Sequence, residues 1–146
     1  MNRDLSSPLD VTSFSERFLY VQSTKEVTVE VWPEFLPNQS KVSQSVYSWA
    51  YHVKIRNESK NRIQLINRMW IITNGARKIE EVYGSGVCGE QPIILPECHY
   101  VYTSGCPLRT PTGSMRGWYE FTDIDSQEKF RVRIPLFFLR TPSQVH

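Results

Sequence analysis

The stretch YGSGVCGEQP places glycines at 84, 86 and 89 in the spacing Gly-x-Gly-x-x-Gly. Glycines so spaced let a backbone come close to a pyrophosphate, and they equally permit a tight turn between two strands. A dinucleotide site needs more: a strand ahead of the turn, a helix whose N-terminus faces the phosphates, and an acid about 20 residues on to hold the ribose. Here the third glycine is followed by EQPIILP, too proline-bound for a crossover helix, and position 109 is arginine. The dinucleotide fold is excluded. Two readings remain for Gly84, Gly86 and Gly89. The preferred one is a structural loop that needs glycine for its backbone geometry. The alternative is an anion nest of backbone N–H groups between strands, with Arg68, Arg77, Lys78 or Arg109 as candidate sources of charge.

Other reactive side chains are present without the spacing that chemistry requires. His52, His99 and His146 are scattered, and Cys88, Cys98 and Cys106 form an odd set lacking a CxxC pair. Adjacent residues such as Cys98 and His99 point to opposite faces of a strand, so they make a poor chelate. These patterns argue against a disulfide framework, a metal site and thiol catalysis. The segment YTSGCPLRTPTGSM is rich in hydroxyls, at Ser104, Thr110, Thr112 and Ser114, but contains no Gly-x-Ser-x-Gly elbow. Its preferred reading is a loop whose hydroxyls satisfy backbone groups. Glu80, Glu81 and Glu90 flank the glycine loop, and the first two, being adjacent on a strand, cannot work as an acid/base pair. No catalytic residue and no cofactor site is assigned.

The elements that position these residues read as strands. EVTVEVW alternates Val27, Val29 and Val31 with polar partners, and Pro33 and Pro37 then restrict ladder pairing. NQSKVSQS is a polar loop. VYSWAYHVKIRNE carries the clearest period of two, with Tyr47, Trp49, Tyr51, Val53 and Ile55 on one face of a central strand. RIQLINRMWIIT mixes its phases, which predicts a bulge or burial on both faces. TNGA is a turn in which Asn and Gly tolerate positive φ. KIEEVY, PIIL, HYVYTSG, SMRGWYEFTDI and KFRVRIPLFFL complete a set of seven or eight short strands, with DSQE a polar turn before the last. No stretch shows helical periodicity, so the expected class is an all-β antiparallel sandwich. At 146 residues, one domain spans 25–140, between an N-terminal tail over 1–24 and a C-terminal tail over 141–146. Within the first tail, FSERFLYV could form a helical turn or two; a flexible tail is preferred.

Composition narrows the function classes. The 17 Lys and Arg are spread along the chain and balanced by 15 Asp and Glu, for a net charge of +2. That argues against a dedicated nucleic-acid binder. The longest strongly apolar run, IPLFFL, is too short to span a membrane, and the first residues lack an apolar signal core. The expected location is the cytoplasm. Four tryptophans and seven tyrosines exceed what packing strictly needs, and some are candidates for a recognition face.

Five collinear motifs carry a resemblance: FLPNQS, QLINRMWIIT, EEVYGSGVCGEQPIILP, YTSGCPLRTPTGSMRGWYEF and FRVRIPLFFL. Together they closely resemble the bacterial ApaG family over about residues 25–140. The resemblance implies a fibronectin type III-like, immunoglobulin-like sandwich, agreeing with the strand reading. It also implies an association with cobalt resistance and magnesium efflux, and relatives attached to eukaryotic F-box and polymerase-interacting proteins. Gly84, Gly86 and Gly89 match the family's glycine motif, which has prompted nucleotide or pyrophosphate proposals. The chain departs from the commoner pattern at Cys88 and Cys98 and after the proline of PECHY, where glycine is commoner, so a turn at 96–98 is expected to differ locally. The function expected from all of this is a non-enzymatic module that binds an unidentified protein partner. The alternative is a nucleotide- or pyrophosphate-binding regulator using the glycine loop.

Overall fold

Val27, Val29 and Val31 have no solvent exposure, while Thr28 and Glu30 between them are only half-buried. This is the signature of a strand with one face on a core. In the computed structural model, which describes residues 19–142, these valines belong to the second of nine described strands. The strands are β1 (Tyr20–Thr24), β2 (Val27–Phe35), β3 (Tyr47–Asn57), β4 (Ile63–Asn74) and β5 (Ile79–Ser85). They continue with β6 (Ile93–Ile94), β7 (His99–Leu108), β8 (Thr112–Asp123) and β9 (Lys129–Arg140). All pairings are antiparallel. One sheet has the order β1-β2-β3-β7; the other runs β5-β4-β8-β9, with β6 also paired to β4.

The two sheets enclose one apolar core. Trp49, Tyr51, Val53 and Ile55 of β3 are buried in it, with Tyr47 half-buried at the end of the same face, as their alternation predicts. They meet Trp70, Met115, Tyr119, Phe121 and Phe137 from the second sheet. Each such side chain, fully buried, contributes roughly 1.5–3 kcal/mol over its exposed state. Trp70 packs edge-on against Tyr51, Tyr119 and Phe137, tying both sheets into one aromatic cluster. Hydrogen bonds also cross between the sheets, among them Tyr102 Oη to Tyr119 Oη at 2.6 Å and Trp49 Nε1 to the Arg140 carbonyl at 2.9 Å.

The mixed phase of β4 is a bulge. Its register against β8 shifts between Leu65 and Asn67, so Ile63 and Leu65 point inward on odd positions and Trp70 on an even one. Pro33 lies where β2 pairs with β3 alone among the described residues, since β1 reaches only to Val31. The loop between β2 and β3 contains two short 3-10 turns, Pro37–Gln39 and Val42–Gln44.

Some expectations need correction. The chain does not enter the sheet at residue 25: Tyr20–Thr24 form β1, held by pairing with β2 that local sequence does not reveal. Thr141, assigned to the C-terminal tail, is buried. The remaining tail positions, 1–18 and 143–146, including His146 and most of FSERFLYV, lie outside the described residues. In the 73–76 turn neither Asn74 nor Gly75 takes positive φ; Arg77 does, at +68°. Asn74 instead shapes the turn through its side chain, whose Oδ1 accepts from the N–H groups of Ala76 and Lys78. Gly75 is needed for close approach, because a Cβ there would lie 2.9 Å from Thr112 Oγ1.

Asn57, fully buried at the end of β3, anchors the turn at 96–98. Its side chain donates to the carbonyls of Asn61 and Ile94 and accepts from the N–H and hydroxyl of Ser59. Its backbone carbonyl accepts from Glu97, and its N–H donates to the Cys98 carbonyl. Glu97 adopts φ +64°, a left-handed conformation that glycine enters without strain.

Candidate functional site

The glycine loop leaves β5 and is fastened to the β4 bulge. Gly86 N–H donates to the carbonyl of Ile66, the bulged residue, at 2.7 Å. Gln91 Nε2 donates to the same carbonyl at 3.0 Å. Val87 and Glu90 then exchange both backbone hydrogen bonds, closing a two-residue turn over Cys88 and Gly89, whose φ values are +48° and +81°. That is the positive-φ pair of a tight hairpin turn. The N–H groups of Gly86, Val87 and Glu90 are therefore all donated to backbone carbonyls, and Gly86 and Val87 are buried.

The three glycines have different surroundings. Gly84 lies within β5 beneath Arg68, whose guanidinium carbon would be 3.1 Å from an added Cβ. Gly86 has φ +61°, and a Cβ there would collide with the Glu90 carbonyl. Gly89 borders open space. Of the four candidate cations, Arg68 reaches the loop: its Nη1 donates to the carbonyls of Ser85 and Gly86 at 2.8 and 3.0 Å. Arg77 and Lys78 sit at the opposite end of β5, and Arg109 lies in the turn between β7 and β8.

The other reactive residues do not converge. Among the described residues no three of His, Cys, Asp and Glu come together as metal ligands. Cys88 and Cys98 are exposed and Cys106 is buried, where desolvation pushes its thiol up to about 11. Thr110 behaves as a loop hydroxyl, accepting from Gly75 N–H and donating to the Thr112 carbonyl. Glu80 and Glu81 fall on consecutive positions of β5, on opposite faces.

Two features of the sheet faces escape a reading along the chain. On the outer face of the first sheet, Trp32, His52 and Thr103 form a cross-strand row. His52 bonds Thr103 Oγ1 at 2.8 Å and Glu34 Oε1 at 2.9 Å, while Trp32 stacks on its ring. A hydroxyl, an imidazole and a carboxylate thus meet from three strands. No spacing in the chain foretells this, because sheet register alone aligns them.

The second feature is the outer face of β5-β4-β8-β9. Ile79, Tyr83, Leu136 and Phe138 are exposed there by 64, 59, 47 and 41%. Met69 and Trp118 pair across β4 and β8, and the row runs from Tyr83 to Arg133. Arg131 covers the Trp118 ring at 4.5 Å, and Arg140 covers Phe138 at 5.2 Å. Glu120 accepts from Tyr83 Oη at 2.6 Å and Asn67 Nδ2 at 3.0 Å. These bonds, that of Tyr83 foremost, hold the Glu120 carboxyl below its ordinary value, and Glu120 in turn raises the Tyr83 phenol. The even charge spread along the chain conceals a cluster: Lys129, Arg131 and Arg133 alternate on the outward side of β9, beside Arg116. The alternation is visible in KFRVR, but its place on a sheet face is not.

Comparison with known proteins adds a different kind of observation. The family model described as the ApaG domain matches residues 37–123. A protein named ApaG from Erwinia tasmaniensis is 45% identical over 126 residues, 86% of this chain and 100% of that one. A second, from Methylocella silvestris, is 44% identical over 124 residues, 85% of this chain and 95% of its own. Among solved structures, the ApaA protein of Bordetella pertussis superposes with a TM-score of 0.77 at 45% identity, covering 80% of this chain and 94% of that one. Among the described residues no helix is long and apolar enough to cross a membrane.

Proposed function

Because this chain belongs to the ApaG family, we propose that it works as a non-enzymatic, cytoplasmic protein-interaction module, docking a partner on the outer face of β5-β4-β8-β9. One observation carries the reading: Ile79, Tyr83, Leu136 and Phe138 are exposed on that single face, which also carries half-buried Met69 and Trp118. Aromatic and Arg side chains are enriched where proteins recognise one another. Exposed apolar side chains gathered on one face mark an interaction site. The family's association with cobalt and magnesium then reflects what the partner does, not metal held by this chain. The test is chemical cross-linking in lysate of the source cells, comparing wild type with an Ile79→Ser/Phe138→Ser variant. A discrete cross-linked partner, lost in the variant at unchanged melting temperature, is expected. A partner retained equally by both proteins would overturn the assignment of this face.

A second reading has one observation in its favour, the Arg68 guanidinium beside the glycine loop. It makes the loop a pyrophosphate or nucleotide sensor. Against it, the N–H groups of Gly86, Val87 and Glu90 already have backbone acceptors. Saturable pyrophosphate binding by wild type, lost in a Gly89→Ala protein that remains fully folded at the assay temperature, would make this reading the preferred one.

A further inference from the structure

Resting on the interaction-module reading, we infer that the partner presents an extended acidic segment, which lies on the β8–β9 half of the outer face and pairs its carboxylates with Lys129, Arg131 and Arg133. Three observations point there. First, alternation on a strand repeats these cations about every 6.8 Å, which is also the repeat of alternate side chains in an extended peptide. Second, only Arg131 among the three has an acidic partner within the described residues, Glu120 at 3.7 Å. Lys129 and Arg133 carry charge with no ion pair there. Third, a groove of about 460 Å³ opens beside them, lined by Ile66, Phe130, Asn67 and Glu120 together with Lys129 and Arg131. Ile66, the bulged residue of β4, gives it an apolar side suited to one anchoring side chain of such a segment.

A polyanion of the other kind, single-stranded nucleic acid, is disfavoured by the same geometry. Strand-binding proteins stack bases on open aromatic faces. Here the rings of Trp118 and Phe138 are each covered by an arginine. The free edge of β9 is also no place to add a strand, since β9 abuts β1 and the Arg133 N–H donates to Thr24 Oγ1 at 3.2 Å. The segment therefore lies across the face, held by charge and one apolar anchor.

Titration of the ¹⁵N-labelled full chain, followed by NMR, tests this. The probe is a synthetic 13-residue peptide alternating Glu and Thr around one central Phe, with its Glu→Gln analogue and a 12-nucleotide oligothymidylate as comparisons. Saturable shifts confined to β9, Trp118 and the Ile66–Asn67 bulge are expected with the acidic peptide and not with the Gln analogue. A Lys129→Glu/Arg133→Glu variant should bind at least about tenfold more weakly, about 1.4 kcal/mol, while a Lys54→Glu control on the other sheet binds as wild type. Absent or dispersed shifts, binding unaffected by the reversal, or tighter oligothymidylate binding on the same footprint would overturn the inference. A cross-linked partner lost on Ile79→Ser/Phe138→Ser but kept by the charge-reversed variant would also overturn it, while leaving the module reading intact.

Discussion

Gly86 is the loop position where geometry leaves least choice. Its φ of +61° and the nearby Glu90 carbonyl both oppose a side chain, whereas Gly89 has positive φ alone and Gly84 has only the Arg68 guanidinium above it. A graded response follows. Gly86→Ala should destabilise by more than about 1 kcal/mol, because strain and collision add. Gly89→Ala should lose roughly 1 kcal/mol, the usual penalty of the left-handed region. Gly84→Ala should lose least, since a flexible arginine can shift. Thermal denaturation of the three variants checks the order, and equal melting temperatures would contradict it. The spacing of the glycines was legible from the start. Their separate reasons were not: the neighbour of Gly84, Arg68, is remote in the chain, that of Gly86 is Glu90 across the turn, and Gly89 has none.

Strand partnership sets the next level of behaviour. Tyr83 on β5 and Glu120 on β8 are joined across β4 by the hydrogen bond between phenol and carboxylate. The carboxyl is held below its ordinary 4.5, so the stability this bond contributes is complete above pH 4.5 and fades as pH falls through the lower folded-state value. The phenol is raised above 10.0, so on that side the contribution is complete below pH 10 and fades as pH climbs through the higher value. Tyr83→Phe should flatten both limbs of the stability–pH profile, measured by denaturant midpoint, and leave the middle nearly level. A profile superposable on wild type would show that the bond does not form in solution. The β4 bulge belongs to the same scale. Its mixed phase was readable in RIQLINRMWIIT, but its use as the anchor of the glycine loop, through the Ile66 carbonyl, required the fold. β1 shows the converse: Tyr20–Thr24 look like tail until β2 lies beside them.

For the whole molecule, cohesion between sheets is mostly apolar, with the Tyr102–Tyr119 hydroxyl pair as a polar tie across the core. Removing one hydroxyl strands the other, so Tyr119→Phe should destabilise by about 1–3 kcal/mol, while Tyr102→Phe/Tyr119→Phe should recover much of that loss. A double variant as unstable as the sum of the singles would refute the coupling. Cohesion without cross-links also predicts indifference to dithiothreitol and EDTA. An unchanged melting temperature in both is expected, and a fall of many degrees in either would reveal a disulfide or metal dependence.

Periodicity and turn chemistry by themselves determined the all-β class, the inward face of β3, the mixed phase of β4 and the exclusion of a dinucleotide fold, because alternation, proline and glycine act over a few residues. Tertiary structure alone decided which groups meet. It brought Arg68, of four candidates, to the glycine loop, set Thr103, His52 and Glu34 in contact, and gathered scattered arginines onto the β8–β9 face. Such meetings depend on strand order and register between segments up to a hundred residues apart, and the pattern within any one strand carries no record of its neighbours.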